Sequence, residues 1–454
     1  MKSRAAAIAF ALLVAVLALA AAGCGGDDNE SEGTTTEASG GGGGGGNVSA
    51  VDALPASSCS AVYYEGEGDP DYLIASDLPL QGAGRTQTIE MTQAIKFVLK
   101  QRNFKLGDYN IAYQSCDDST AQAGKWDSGK CSANANAYAR NQDVIGVIGT
   151  FNSGCAEIIA PILNRAQNGP VAMISPANTY VGLTHSGPGT APGEPEKYAP
   201  TGKKNYARVV AADDFQGAAD AILAKQLGLK SVYILNDKEA YGLGVATNFR
   251  NALAKQGVKV AGFTAWEGKA SSYEALATKI KSSGADGVFL GGLICENGGK
   301  LIKDLRANLG ANVQIMAPDG FTPISAVVDG AGTDAENMTV SVAGLPNSQL
   351  KGTGKKFVAD FSADNAGKDP DPYSVYAAQA AEVLLDAIER SDGSRASVSE
   401  ELFKTDVNDG ILGTFKIDEK GDTTSNPVTI YKIKGGKQTD FKVITPPTSL
   451  VKAA

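Results

Sequence analysis

Hydrophobic positions alternate between two periodicities from about residue 70 onward. Apolar residues three and four positions apart predict helices with one buried face, in residues 91–99, 158–163, 215–228, 243–256, 272–282 and 298–309. Between them, short runs rich in β-forming residues predict strands, at residues 72–75, 111–113, 144–148, 171–174, 232–235, 287–290 and 313–316. Such an alternation of strand and helix predicts parallel sheets covered by helices on both faces, and therefore an α/β fold.

One stretch interrupts the series. Residues 186–204 contain four prolines, and that density predicts a loop or crossover rather than a regular element. It divides the chain into two α/β halves of similar design, between which no sequence repeat is evident. Beyond Pro318 the pattern continues with predicted helices and closes with β-rich segments. The helices are at residues 322–330, 351–365 and 373–391, and the β segments at 415–417, 428–433 and 441–444.

The N-terminus has the order of a signal peptide. A short basic region precedes the apolar residues 5–22, and small residues follow. The sequence Ala21-Ala22-Gly23-Cys24 resembles the lipobox of bacterial lipoproteins, in which the cysteine thiol is lipidated and becomes the new N-terminus. We therefore expect a lipoprotein signal peptide at 1–23 and lipidation at Cys24. The apolar run is also about long enough to span a bilayer, so a retained membrane anchor is the alternative.

Residues 24–57 are expected to be the lipidated cysteine and a flexible tether. They include seven consecutive glycines and little that could form a core, so an r.m.s. reach of roughly 30 Å is expected. No other stretch is apolar enough to cross a membrane. The sequence thus predicts an extracytoplasmic protein held at the cell membrane by its lipid.

Charge and cysteine content narrow the function. The formal net charge of −9 argues against nucleic acid as a partner, because phosphate binding needs clustered Lys and Arg. Outside the cytoplasm, cysteines tend to pair. Four precede the proline-rich loop (Cys59, Cys116, Cys131 and Cys155), so two disulfides within the first half would leave Cys295 free. Three connectivities are open; Cys116 and Cys155 each follow a predicted strand and are candidates for one bridge.

Catalytic and metal motifs are not evident. The single histidine is His185, and Ser153 stands in Asn152-Ser153-Gly154 rather than G-x-S-x-G. The sequence contains no H-E-x-x-H or Walker A motif, and no C-x₂₋₄-C pair suggests zinc. We expect no catalytic residues, no metal and no cofactor; an enzyme using paired carboxylates is the alternative that stays open.

Polar groups follow several predicted strands, where ligands bind in open α/β sheets. In the first half these are the segments 150–154 and 175–179, and in the second half Asp237 with Tyr241 and the segment 291–296. Hydroxyls and backbone N–H groups at helix starts suit a carboxylate, and an acid facing them would suit an ammonium. Ser153 and Ser175 are also typical helix N-caps.

These residues resemble the branched-chain amino acid type of periplasmic binding protein, over roughly residues 72–445. The motifs that carry the resemblance, in chain order, are Asp77-Leu78-Pro79-Leu80-Gln81-Gly82, Val147-Ile148-Gly149 with Ser153, Ile174 to Thr179 with Leu183-Thr184, Asp237 with Tyr241-Gly242, and Gly291-Gly292 with Glu296. The resemblance implies a two-lobed type I fold with three crossovers that closes on a ligand. It implies lobe one at 58–187 and 319–410, lobe two at 188–318, and C-terminal β segments at 411–454, mainly in lobe two.

The resemblance also implies a binding site. Ser153 is expected to hold a ligand carboxylate, and Thr179 to contact both carboxylate and ammonium. The carbonyl of Ala177 and the carboxylate of Glu296 are expected to bind the ammonium, and Tyr241 to contact the ligand from lobe two. One departure concerns the first loop, where Arg85-Thr86 stand in place of an aromatic residue of aliphatic-specific relatives. These two positions are candidate specificity residues; they argue against an aliphatic ligand side chain and leave a polar or larger ligand open.

The predicted function is capture of a small zwitterion, with an amino acid as the expected ligand, for an ABC importer. The partners implied are the permease and ATPase subunits, and the protein is expected to be a monomer. Two alternatives stay open. One is a ligand-sensing lipoprotein co-receptor of the same fold, and the other is import of a different small polar solute such as an amide.

Overall fold

The computed structural model describes residues 51–451. The predicted signal peptide, Cys24 and the tether as far as residue 50 lie outside the described residues. Within residues 51–451, no helix is both long and apolar enough to cross a membrane. Residues 51–57 pack on the body of the protein: Leu54 is buried, and its N–H donates to Gln114 Oε1 at 2.7 Å. The packed body thus begins before the predicted tether boundary at residue 57.

The first sheet has six strands in the order β2-β3-β1-β4-β5-β6, and all pairs are parallel except the short β2–β3 hairpin. Its strands are β1 (Tyr72–Leu78), β2 (Lys105–Leu106), β3 (Tyr109–Asp117), β4 (Val144–Gly149), β5 (Ala172–Ser175) and β6 (Tyr206–Arg208). Every residue of β4 is buried, as expected of a central parallel strand covered on both faces.

The second sheet has seven strands in the order β15-β14-β11-β10-β9-β7-β8. The strands from β8 to β11 are parallel, and the β14–β15 hairpin joins β11 in antiparallel orientation. They are β7 (Ser231–Asn236), β8 (Lys259–Ala265), β9 (Gly287–Gly291), β10 (Gln314–Ala317), β11 (Thr339–Ala343), β14 (Val428–Lys434) and β15 (Lys437–Ile444), and a separate hairpin is formed by β12 (Asp406–Gly410) and β13 (Gly413–Lys416).

Helices cover the sheets and define two lobes. Lobe one combines the first sheet with α1 (Arg85–Gln101), α2 (Ser128–Arg140), α3 (Ser153–Asn164), α9 (Gly352–Asp364), α10 (Pro372–Arg390) and α11 (Arg395–Leu402). Lobe two combines the second sheet with α4 (Asp213–Gln226), α5 (Ala240–Lys255), α6 (Glu274–Ser282), α7 (Gly298–Leu309), α8 (Ile324–Ala331) and α12 (Thr448–Val451). Local sequence determines where α10 begins. Asp371 accepts a hydrogen bond from the Tyr373 N–H at 3.0 Å, and Pro372 occupies the first turn of the helix.

The chain passes between the lobes three times, after β6, after β11 and after β13. This is the two-lobed type I architecture expected from the sequence. The boundaries differ in two places. Strand β6 completes the first sheet although it follows the predicted boundary at residue 187, and α8 and β11 lie in lobe two although residues 319–410 were assigned to lobe one. Each of these strands directly precedes a crossover, and local hydrophobicity does not identify the sheet to which such a short strand belongs.

Lobe one contains two disulfides. Cys59 pairs with Cys116 and Cys131 pairs with Cys155, while Cys295 is free. The expectation of two bridges within the first half is confirmed. The candidate Cys116–Cys155 bridge is wrong, because Cys59 lies opposite Cys116 as its antiparallel β-bridge partner.

Candidate functional site

The helix α3 begins directly beyond the carboxyl end of β4, and Ser153 is its first residue. Ser153 is buried, and its Oγ accepts a hydrogen bond from the Tyr180 N–H at 3.3 Å. The N-cap is Asn152, so Ser153 does not serve as the cap. The N-terminus of a helix directs backbone N–H groups and a partial positive charge outward. This end of α3 can therefore hold an anionic group.

The loop after β5 adds two more of the predicted residues, Ala177 and Thr179. Ser175 is committed to shaping this loop, because its hydroxyl accepts the N–H groups of Ala177 and Asn178 at 3.1 and 2.8 Å. Thr179 is 1% exposed, and its hydroxyl has no hydrogen-bond partner. A buried hydroxyl without a partner is costly. Thr179 thus presents a polar group that suits a bound ligand.

A buried acid that the sequence analysis missed faces Thr179. Asp213 opens α4, its N–H donates to the Thr179 carbonyl at 2.8 Å, and its side chain is 0% exposed. Neither carboxylate oxygen has a hydrogen-bond partner. Burial raises the pKa of Asp213 well above its ordinary value, and the charge of Asp319 raises it further. The Thr179 hydroxyl opposes this increase, although it does not reach Asp213 in hydrogen-bond geometry.

One turn along α4, Gln216 extends the same surface. Its amide nitrogen donates to the Ser341 carbonyl and hydroxyl, both at 3.0 Å. Its amide oxygen is buried and has no hydrogen-bond partner. Positions three apart on a helix share a face, so Asp213 and Gln216 present acceptors from one side of α4.

A second buried acid, Asp319, follows β10 and is bound from both lobes. Tyr241, on α5 of lobe two, donates to Asp319 Oδ1 at 2.6 Å, and Tyr373, on α10 of lobe one, donates to Oδ2 at 2.5 Å. Burial raises the pKa of Asp319, and the two tyrosine hydroxyls lower it. The ring of Tyr373 also packs edge-on against Phe151 of lobe one at 5.3 Å. The predicted contact residue Tyr241 is therefore a partner of Asp319.

We name this group the inner cluster; it comprises Ser153, Thr179, Asp213, Gln216, Tyr241, Asp319 and Tyr373. Its charge is unbalanced among the described residues. It contains two buried carboxylates, whereas Arg208, the cation whose charge reaches Asp213, is held by Asp422 at 2.7 Å. Buried charges are normally paired. The arrangement therefore offers acceptors to a cation beside a helix N-terminus that suits an anion.

The predicted ammonium partner Glu296 lies elsewhere. Its carboxylate is bound by Lys125 of lobe one, which also binds Glu239. These residues line a cavity of about 630 Å³ together with the two tryptophans of the chain, Trp126 and Trp266. Glu296 thus already has a cationic partner within the protein, unlike Asp213.

The candidate specificity residues Arg85 and Thr86 lie on the surface. Both are exposed at the start of α1. The next residue, Gln87, is buried and donates to Asp371 Oδ1 at 2.8 Å. Thr86 borders a separate cavity of about 390 Å³. The structure does not bring Arg85 or Thr86 into the inner cluster.

One group of potential metal donors includes the two cysteines of a disulfide. Asp118, Cys131 and Cys155 place one donor atom each within 4.8 Å of one another. The two sulfurs are bonded to each other, which removes them as thiolate ligands. Burial raises the pKa of Asp118, and the neighbouring Asp77 raises it further.

Comparisons with known proteins agree with this architecture. A family model described as "Periplasmic binding protein" matches residues 74–438. The Leu/Ile/Val-binding protein BraC3 of Rhizobium johnstonii is 31% identical over 300 residues, covering 64% of this chain and 73% of the relative. A leucine-binding protein LivK of Thermotoga maritima superimposes with a TM-score of 0.71 at 25% identity, covering 83% of this chain and 99% of that one.

A third protein shows that the fold accommodates other ligands. A solute-binding protein of an ABC transporter from R. palustris, solved in complex with benzoate, superimposes with a TM-score of 0.67. It is 19% identical and covers 82% of this chain and 96% of its own, so it is informative about the fold alone. The relatives of this chain are substrate-binding proteins rather than enzymes, and the family is extracytoplasmic. The resemblance found in the sequence is confirmed: the chain belongs to the periplasmic binding protein family.

Proposed function

We propose that this protein binds an α-amino acid between its lobes and delivers it to an ABC importer. One observation carries the proposal: Asp213 is fully buried without a hydrogen-bond partner, beside the unpartnered hydroxyl of Thr179. A ligand ammonium would supply the missing charge and hydrogen bonds. Charge-assisted hydrogen bonds of this kind are strong when water is excluded. The relatives named as Leu/Ile/Val-binding and leucine-binding proteins support the same class of ligand.

The ligand carboxylate would lie at the start of α3. Ser153 and the helix N-terminus favour an anion there. The ammonium would lie toward Asp213 and Asp319, with Thr179 between the two ends. In this arrangement lobe one holds mainly the carboxylate and lobe two mainly the ammonium. Binding and closure of the lobes would then be one thermodynamic event.

Asp213 and Asp319, rather than Glu296, are proposed as the partners of the ammonium. Glu296 is paired with Lys125, so a ligand would have to displace an internal cation to reach it. Asp213 requires no such displacement. The same two acids disfavour simple aromatic carboxylates such as benzoate, since an anion without a cationic group would leave both acids unpaired.

A thermal-shift screen tests this assignment with matched ligand pairs. Each amino acid is compared with the carboxylic acid that lacks only its amino group, and benzoate is included. A ligand at 100 times its Kd stabilises the folded protein by about 2.7 kcal/mol. We expect one or more amino acids to raise Tm, and their deamino analogues and benzoate to leave it unchanged. Equal stabilisation by an amino acid and its deamino analogue would contradict the role of the two acids.

Delivery to an importer requires a second test. Reconstituted permease and ATPase subunits encoded beside this protein should hydrolyse ATP faster when the ligand-loaded protein is added. A sensor kinase that responds to the loaded protein, with no effect on ATP hydrolysis by a transporter, would favour the co-receptor alternative.

Membrane anchoring is proposed to occur through lipidated Cys24. It is supported by the lipobox-like sequence that ends the apolar N-terminal run. Cys24→Ala should release the protein from the membrane fraction, and Cys295→Ala is the matched control. A Cys24→Ala protein that stays membrane-bound and retains residues 1–23 would identify a transmembrane anchor instead.

A further inference from the structure

Lys125 makes a charged contact between the two lobes outside the inner cluster. Its ammonium binds the carboxylates of both Glu239 and Glu296. Lys125 lies between β3 and α2 of lobe one, whereas Glu239 and Glu296 follow β7 and β9 of lobe two. This contact can exist only when the two lobes are close together.

The loop that carries Lys125 is fixed on lobe one. Trp126 forms a β-bridge with Ser119, and the Asp127 N–H donates to the Asp118 carbonyl at 2.8 Å. Asp127 then caps α2 by accepting the Lys130 N–H at 3.0 Å. Lys125 is therefore presented from a rigid position rather than from a free loop.

The two acids are fixed on lobe two in the same way. The Glu239 N–H donates to Asp237 Oδ1 at 3.0 Å, and the Glu296 carbonyl accepts the Trp266 indole N–H at 2.8 Å. The side chains of Lys125, Glu239 and Glu296 are 25%, 16% and 18% exposed. Burial alone would lower the pKa of Lys125, but the two carboxylates raise it. The cation is thus held by both acids in a partly water-excluded place.

Trp126 connects this contact to the proposed ligand site. Its indole N–H donates to Glu239 Oε2 at 3.2 Å. Its ring packs on Gly154, where an added Cβ would lie 2.5 Å from the ring. Gly154 directly follows Ser153 in the first turn of α3. Trp126 therefore contacts the residue next to Ser153, which is proposed to hold the ligand carboxylate.

We infer that Lys125, Trp126, Glu239 and Glu296 form an interlobe latch that stabilises the closed conformation and slows ligand release. Without the Lys125 ammonium, the attraction between lobe one and the two carboxylates of lobe two is lost, and lobe separation would return water to these carboxylates. The inference that the latch slows release rests on the proposed function. The effect of the latch on lobe separation does not.

The first test needs no ligand. Small-angle X-ray scattering on the full chain compares the wild type with Lys125→Gln, which keeps a polar, slightly shorter side chain but removes the charge. We expect a larger radius of gyration for Lys125→Gln, and a shift of the wild type in the same direction at 1 M salt, where the Debye length is about 3 Å. Lys130→Gln is the control, because the Lys130 ammonium donates to Ser57 and Ser58 of lobe one. Unchanged scattering in Lys125→Gln would overturn the latch.

The second test measures release of the amino acid identified in the thermal-shift screen. The fluorescence of Trp126 and Trp266, which both border the latch cavity, reports dissociation in stopped flow. We expect dissociation from Lys125→Gln to be about 5- to 30-fold faster. In a Glu239→Gln/Glu296→Gln background the same substitution should add little, because coupled residues are not additive. Equal effects in both backgrounds would overturn the latch, whereas failure of any ligand to bind the wild type would overturn the proposed function.

Discussion

Two groups of acids in this protein have opposite electrostatics. In the inner cluster, Asp213 has no hydrogen-bond partner and burial raises its pKa. In a second group, which we call the crossover cluster, Asp422 is bound by Arg208 at 2.7 Å and by His185 at 2.9 Å, and His185 reaches Asp214 at 3.2 Å. Burial alone would raise the pKa of Asp422, but the two cations hold it far below its usual range.

The comparison separates a stabilising charge from a binding charge. Asp213 is fully buried and Asp422 is largely covered, with 16% of its side chain exposed, and both lie at crossovers between the lobes. The first has its cations within the protein, so folding satisfies it. The second remains unsatisfied after folding, which costs stability and can be offset only from outside the chain. Substitutions at the two sites should therefore separate stability from affinity.

The largest effect is expected at Asp422. Asp422→Asn leaves the buried Arg208 without its ion-pair partner, and breaking such a pair typically costs about 3–5 kcal/mol. Urea unfolding should show that loss in the free energy of unfolding. Asp406→Asn, which removes an exposed ion pair with Lys416, should cost less than about 1 kcal/mol. Equal stability of Asp422→Asn and wild type would show that Asp422 does not compensate Arg208.

Asp213→Asn should have the reverse outcome. It keeps the shape of the side chain and removes a buried, unpaired acid, so the free energy of unfolding should be unchanged or higher. Ligand affinity should fall by about 2–5 kcal/mol, or roughly 30- to 5000-fold in Kd. Calorimetry with the amino acid from the thermal-shift screen measures this, and Asp214→Asn is the neighbouring control. Unchanged affinity in Asp213→Asn would remove this carboxylate from the ammonium site.

His185 makes the crossover cluster sensitive to pH. Burial alone would lower the pKa of His185, but hydrogen bonds to Asp214 and Asp422 raise it from 6.5 to about 9. Because the pKa is raised on folding, the stabilisation is complete below about pH 6.5 and is lost as the pH rises through about 9. We expect a loss of roughly 2–3 kcal/mol over this range.

NMR measures the titration of His185 directly. The chain contains one histidine, so the imidazole C–H signal in NMR belongs to His185 without ambiguity. Its midpoint should lie near pH 9. The loss of stability with rising pH should be smaller in His185→Gln than in wild type. A midpoint near 6.5 would show that the two aspartates do not hold the imidazolium.

The fold and part of the inner cluster could be predicted from the sequence. Buried strands alternating with amphipathic helices predicted the parallel sheets. Position after a strand indicated the segments that contain Ser153, Thr179 and Tyr241, and the family resemblance selected these residues. Asp319 also follows a predicted strand, in Pro318-Asp319-Gly320, and that position was the available signal for it. Asp213 gave a weaker signal, since acids in the first turn of a helix are common for electrostatic reasons unrelated to binding.

Pairings between distant segments could not be predicted. Glu296 follows a strand as expected of a site residue, but its partner Lys125 is 171 residues away in the other lobe. Sequence spacing carries no information about such a contact. For the same reason the crossover cluster was not recognised, because His185 and Asp422 are separated by 237 residues.

The smallest effect is expected at Arg85, which tests whether specificity resides in the inner cluster or at its periphery. Arg85 is exposed at the start of α1, and its backbone N–H bonds locally to the Gly82 carbonyl at 3.3 Å. Arg85→Ala should change the free energy of unfolding by no more than about 0.5 kcal/mol, as is usual for surface positions. Ligand affinity and the ranking of amino acids in the thermal-shift screen should also be unchanged. Gln87→Ala is the informative companion, because Gln87 is buried and contacts Thr322 and Asp371 near the junction of the lobes. A change of ligand preference in Arg85→Ala would mean that the first loop reaches the ligand. Specificity would then depend on residues outside the inner cluster as well as on its two buried acids.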